Sequence, residues 1–167
     1  MPQININWVY TFDQYYETRQ LNMGRPWSGN NYFSLPTYFR NEVIDKVLDA
    51  LRSAAPVDTG LLQGSMWSWV SDYFPNGIIG IVGPGVRYAG AVNAGSHPHM
   101  PPLLYLPGWA LRNWPGLGPD TVVRAGRTLQ KHIATYGTRP QPFMEAAVSV
   151  AQSISPTYGG LIVTYEK

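Results

Sequence analysis

The sequence predicts an α+β domain, a mostly antiparallel sheet with amphipathic helices packed on one face and long loops rich in Pro, Gly and aromatic residues. Three observations lead there. Apolar residues alternate at period two near both ends of the chain. Three internal stretches carry apolar residues at helical spacing. Between them, a Pro-Asn-Gly turn joins two apolar runs in the manner of a hairpin. The predicted order is β, α, β, β, α, α, β. A chain of 167 residues is long enough to bury the core of one domain. The reading takes 1–167 as that domain, with a strand and loop or arm over 1–36, a core over 37–155 and a C-terminal strand over 156–167.

The first strand rests on Ile4, Ile6, Trp8, Tyr10 and Phe12, which fall on one face. Glu17 to Pro36 has no clear period and reads as a long loop or arm. Phe39, Val43, Ile44, Val47, Leu48 and Leu51 then form one helical stripe, opposite Arg40, Glu42, Asp45, Lys46, Asp49 and Arg52. Pro56 ends that helix by disfavouring helical geometry in the residue before it. In the hairpin, Trp67 and Trp69 share one face and Met66, Val70 and Phe74 the other, and both tryptophans are expected to pack in or on the sheet core. Pro75-Asn76-Gly77 makes the turn and Ile78 to Val82 return. Residues 86–118 are dominated by Gly, Pro and aromatics, with a short helical piece near Leu106 to Trp114. A second amphipathic helix places Val122, Gly126, Leu129, Ile133 and Tyr136 on one side and ends at Gly137. A third turns Phe143, Ala147, Val150 and Ile154 inward, and Leu161, Val163 and Tyr165 alternate in the closing strand.

Composition excludes several classes. A net charge of +2 is too slight a basic balance to make nucleic acid the main partner. There is no cysteine, hence no disulfide framework and no thiolate metal site. The opening MPQININWVY lacks the basic region and apolar run of a signal peptide, and no stretch approaches the roughly 18 apolar residues of a membrane span. No cofactor is expected. Abundant aromatics, Gly and Pro suit shaped loops and sticky surfaces.

Asp58-Thr59-Gly60 has the active-site tripeptide of aspartic proteases. Such an enzyme needs two carboxylates sharing a proton, supplied by two chains where each has one motif. That motif belongs in a loop between apolar strands with a small residue after the Gly, whereas here it follows a helix and a proline and precedes Leu61 and Leu62. The residues read better as a bend, with Asp and Thr side chains bonding nearby backbone and Gly60 free to take positive φ. His97 and His99, with His132 elsewhere, have no carboxylate or Cys at ligand spacing and read as surface or interface residues. Gly83-Pro84-Gly85 lacks the Lys-Ser/Thr of a phosphate loop, and Ser65 and Ser96 lack a neighbouring base. Arg124, Arg127 and Lys131 share one helix face, either as a solvated face or as a stripe touching DNA phosphates or a partner.

The order of short motifs resembles a family of small tail-completion or neck proteins of long-tailed bacteriophages, related to the lambda-type minor tail protein Z. In that family an amphipathic helix runs into Ala-Pro-x-Asp-Thr-Gly-x-Leu-x-x-Ser, matched by Ala55, Pro56, Asp58, Thr59, Gly60, Leu62 and Ser65. A hairpin ending in Val-Gly and a Tyr-Ala-x-x-Val-x-x-Gly-Thr motif follow, matched by Val82, Gly83, Tyr88, Ala89, Val92 and Gly95. Family members usually have Glu before that Gly-Thr, where this chain has Asn93-Ala94-Gly95-Ser96. A Trp-containing helix and a Gly-Thr-x-x-x-Pro-Phe motif then match Trp109, Gly137, Thr138, Pro142 and Phe143. The resemblance covers about Phe39 to Ser153.

What the resemblance implies is a non-enzymatic virion component at the head–tail connector or the head-proximal end of the tail, assembled in the host cytoplasm. It implies a six-fold ring around the DNA passage, beside head-closure or adaptor, tail-terminator and tail-tube proteins, with non-specific duplex DNA in the lumen and no membrane. On that reading Trp27, Tyr32, Phe33, His97 and His99 are candidate subunit-interface residues, and Arg124, Arg127 and Lys131 face the lumen or a partner. The alternatives are a single-domain hydrolase, such as a dimeric aspartic protease using Asp58, and a DNA-binding module.

Overall fold

A computed structural model describes residues 1–9, 39–73, 77–154 and 160–166. The expected arm with Trp27, Tyr32 and Phe33 lies outside these residues, as do Tyr10, Phe12, Phe74 and the first two residues of the hairpin turn. The elements are β1 (Gln3–Val9), a π-helical turn (Arg40–Ile44) running into α1 (Asp45–Ala54), α2 (Leu61–Gly64), β2 (Met66–Tyr73), β3 (Gly77–Pro84), α3 (Ala89–Ala94), a 3-10 turn (Leu103–Tyr105) running into α4 (Leu106–Asn113), α5 (Pro119–Tyr136), α6 (Phe143–Ser153) and β4 (Gly160–Glu166). The fold is α+β with one four-stranded antiparallel sheet of order β2-β3-β1-β4.

The two ends of the chain meet in that sheet, with Ile4 between Val82 and Tyr165 and Ile6 between Gly80 and Val163. The period-two pattern decides which face is buried. Ile4, Ile6, Met66, Ile78 and Val82 join the core, with Val70, Leu161, Val163 and Tyr165 packed at its margin. Over this face lies the predicted stripe of the first helix, with Phe39, Val43, Ile44, Val47, Leu48 and Leu51 all buried. Each such side chain removed from water contributes about 1.5–3 kcal/mol. Gly80 leaves room for the helix against the sheet, since a methyl group there would collide with Ile44 and lie 2.8 Å from Phe39. Helix α6 completes the layer with Phe143, Met144, Ala147 and Ala151.

Local chemistry sets the ends of α1. The sequence predicts a plain α-helix, but its first turn is π-wound, with the Asp45 N–H donating to the Arg40 carbonyl. At the other end Gln63 Nε2 donates to the Arg52 carbonyl at 2.9 Å, satisfying one of the last carbonyls. Two short helices, α2 and α3, were not predicted because four and six residues are too few to carry a period.

Candidate functional site

The residues that the sequence singles out are drawn together around one excursion of the chain, residues 97–137. It leaves and returns through a narrow clasp. Ser96 and Thr138 form an isolated antiparallel bridge, with N–H···O bonds of 3.3 and 3.1 Å, and the Thr138 hydroxyl accepts from Ser96 N–H at 2.9 Å and donates to Ser96 Oγ at 2.9 Å. Each bridge residue follows a glycine of positive φ, Gly95 at 75° and Gly137 at 74°. A side chain on Gly95 would meet the Thr138 carbonyl at 2.6 Å, and one on Gly137 would collide with the Ser96 carbonyl. Both positions therefore require glycine twice over, for conformation and for room.

Just before the clasp, Asn93 is the one polar residue buried among those described. Its Oδ1 accepts the Met144 N–H at 2.9 Å, and its Nδ2 donates to Tyr165 Oη at 3.0 Å and Glu145 Oε1 at 3.2 Å. Pro142, at the head of α6, has no side-chain oxygen for the helix's free N–H groups. Asn93 supplies that acceptor from a different helix, so the Tyr88–Ser96 and Thr138–Phe143 motifs are parts of one joint. Burial, then the charge of Glu145, raise the Tyr165 phenol above its ordinary value, against the lowering effect of the Asn93 bond. Tyr88 itself is exposed at the start of α3.

Within the excursion, α4 packs on α5, where a side chain on Gly126 would press against Pro107 at 3.0 Å. Trp109 and Trp114 meet edge to face with ring centres 5.5 Å apart. None of residues 97–137 belongs to the core cluster or to the partly buried side chains packed on it. Met100, Leu104, Tyr105, Leu111, Trp114, Val123 and Tyr136 remain exposed.

Asp58 ties this helical hairpin, α4 and α5 of residues 97–137, to the bend after α1. Arg112 Nε donates to Asp58 Oδ1 and Arg112 Nη2 to Asp58 Oδ2, both at 2.7 Å, a two-pronged guanidinium–carboxylate pair. The Arg112 hydrogen bond, helped by Asn113, holds the Asp58 carboxyl below its usual range, against a smaller opposing effect of burial. The sequence reading has this carboxylate bonding nearby backbone; its strongest bonds instead cross to a residue 54 positions away. Gly60 takes φ 78° and opens α2, Leu62 is buried in the core, and Ser65 Oγ donates to the Leu62 carbonyl at 2.8 Å. Val57, Asp58 and Thr59 stay exposed. Sequence spacing could not reveal Arg112 as the partner, because nothing local links it to Asp58.

His99 Nδ1 lies 2.9 Å from the His97 carbonyl and 3.4 Å from Ser96 Oγ, so this ring buttresses its own loop, while His132 stacks obliquely on Tyr136. Among the described residues no group of three His, Asp or Glu side chains is placed to hold a metal ion. Arg124, Arg127 and Lys131 are exposed on α5, and none has an ion-pair partner among the described residues. Trp67 and Trp69, read as sheet-core or sheet-packing residues, lie outside the core on the sheet face away from the helices, 40% and 48% exposed. No helix among the described residues is long and apolar enough to cross a membrane.

Comparison with known protein families, with curated proteins and with solved structures finds no match to this chain.

Proposed function

We propose that the chain is a structural, non-enzymatic subunit of a tailed-bacteriophage virion, forming a ring around the DNA passage at the head–tail connector or the head-proximal end of the tail. The observation that carries this reading is the presence of two separate exposed apolar surfaces. One is the outer sheet face with Trp67 and Trp69; the other is the outlying hairpin with Leu104, Tyr105 and Leu111. A closed ring joins head to tail, so every subunit needs two different complementary surfaces. The spatial joining of the family-like motifs at the clasp, the Asn93 joint and the Asp58–Arg112 pair adds support, since each motif then has a definite structural task. In this reading Arg124, Arg127 and Lys131 meet DNA phosphates in the lumen or an acidic partner, and head-closure, tail-terminator and tail-tube proteins are the neighbours.

The protease reading draws no support from Asp58. A shared-proton dyad sets carboxyl against carboxyl, whereas both oxygens of this one are engaged by Arg112. The test is cryo-electron microscopy of particles made with the tagged protein, alongside native mass spectrometry of the purified chain. Density in a ring at the head–tail junction supports the proposal. A protein that stays monomeric and absent from particles, or that cleaves peptides until Asp58→Asn is introduced, overturns it.

A further inference from the structure

We infer that copies of this chain meet heterologously, the Leu104–Gly108–Leu111 stripe of one hairpin seating on the Trp67/Trp69 sheet face of the next. This specifies the contact of the ring proposed above and rests on that reading.

The receiving surface is the face of the sheet turned away from α1 and α6. Strand register lays Trp69, Ile81, Asn5 and Thr164 in one row and Ser71, Ile79, Asn7 and Ile162 in the next. Trp67, Trp69 and Ile162 are 40%, 48% and 54% exposed. The face carries one ionised side chain among its described residues, Glu166, which accepts from Gln3 Nε2 at 3.0 Å and Asn5 Nδ2 at 2.9 Å. Aromatic-rich, charge-poor surface of this kind is the composition of interface centres. Four strands at about 4.8 Å and seven residues at about 3.4 Å make a platform of roughly 19 by 24 Å. A pair of packed helices, about 20 Å across, fits that footprint.

The inserting surface is the outward side of α4 and the turn before it. Leu104, Gly108 and Leu111 are spaced four and three apart and all three are exposed, Leu104 by 82%. Gly108 is the informative residue. Glycine inside a helix is unfavourable relative to alanine. Nothing in the fold demands it here: φ is not positive, and a side chain would meet only Arg112 Nη1 at an ordinary 3.5 Å. A gap between two exposed leucines, unexplained by internal packing, is a seat for a large side chain from outside, and an exposed tryptophan on the platform is such a side chain.

Charge selects the heterologous pairing. Residues 97–137 carry Arg112, Arg124, Arg127 and Lys131 against Asp120 alone. Hairpin on hairpin therefore opposes cations, whereas hairpin on the Glu166-bearing face does not.

The test uses the full chain, with two variants at exposed positions, Trp69→Glu and Leu104→Glu, checked for folding by circular dichroism and followed by analytical ultracentrifugation. Wild type is expected to assemble, and each variant alone to be monomeric. Their equimolar mixture is expected to form a 1:1 dimer and stop there, because one copy keeps an intact platform and the other an intact stripe. Gly108→Gln is expected to weaken assembly at least tenfold without lowering Tm, a combination that loss of a structural glycine would not give. If the variants assemble like wild type, or their mixture stays monomeric, the contact is overturned while the ring reading stands. Wild type that remains monomeric at every concentration overturns the contact, and both fall if it is also absent from particles.

Discussion

The sheet-and-helix core and the hairpin of residues 97–137 are built on opposite principles. In the core, apolar stripes find partners inside the chain: Ile4, Ile6, Phe39, Ile44, Val47, Leu51, Val82, Met144 and Ala147 are sealed from water. In the hairpin, only Ala110, Gly126 and Gly137 are buried; Leu106, Trp109, Leu129 and Ile133 are half-buried, and Leu104, Tyr105, Leu111 and Tyr136 stand outside. The core is thus held by burial that needs no second molecule. The hairpin is held by a two-residue clasp, two glycines and an exposed ion pair, so its apolar surface is available for partners. Regions with few buried contacts open at low free energy, and hydrogen exchange should rank α5 amides well below those of β1 and β3.

The contrast is sharpest for truncations. Ile44→Ala, which empties a site against Gly80 and the sheet, is expected to cost about 2–5 kcal/mol in chemical denaturation. Leu104→Ala, the same kind of change on the hairpin, is expected to leave monomer stability within about 0.5 kcal/mol. Equal losses would erase the distinction between the regions. At the boundary, Gly137→Ala forces a Cβ into positive φ and against the Ser96 carbonyl. Strain of this kind costs about 1–3 kcal/mol, and exchange should quicken first within the hairpin. Asn93→Leu leaves the Met144 N–H buried without its acceptor. A loss of about 1–3 kcal/mol is expected, with α6 destabilised along with the core.

These regions also differ in how far the sequence disclosed them. The core was readable because its burial is periodic: the Phe39–Leu51 stripe, the alternation at Ile4 and Ile6 and that at Leu161, Val163 and Tyr165 all meet the core. The α+β class follows from those periods. The π-wound first turn was not readable, because it shifts one hydrogen bond without disturbing the stripe. Whether Trp67 and Trp69 join the core or only pack on the sheet was not readable for a reason of the same kind. Alternation says that two tryptophans share a face but not which face is covered. In the candidate site, Gly95 and Gly137 stood out as glycines, yet their mutual closure across the clasp is a long-range fact. Asn93 looked like a departure from a motif, and only the fold reveals it as the acceptor for α6. Pairing of Asp58 with Arg112 is the extreme case, since two exposed residues far apart in the chain share no pattern.

That ion pair gives a small expected effect and the finest test of how the hairpin is held. Asp58 and Arg112 are both substantially exposed, so water and salt screen their attraction and Asp58→Asn should shift Tm only slightly. The sign with pH is fixed by the lowered carboxyl. A carboxylate held more acidic in the folded protein contributes stability that is fully present above its ordinary value of 3.8 and is lost as pH falls through the lower folded value. The Tm difference between wild type and Asp58→Asn should therefore be constant at neutral pH and fade under acid below 3.8. It should also shrink in about 1 M salt, where the screening length falls to about 3 Å. Exchange of charges, Asp58→Arg with Arg112→Asp, should restore hairpin protection that either single change removes. If both single variants keep wild-type protection across α4, the clasp at Ser96 and Thr138 holds the hairpin by itself and the pair is only a surface contact.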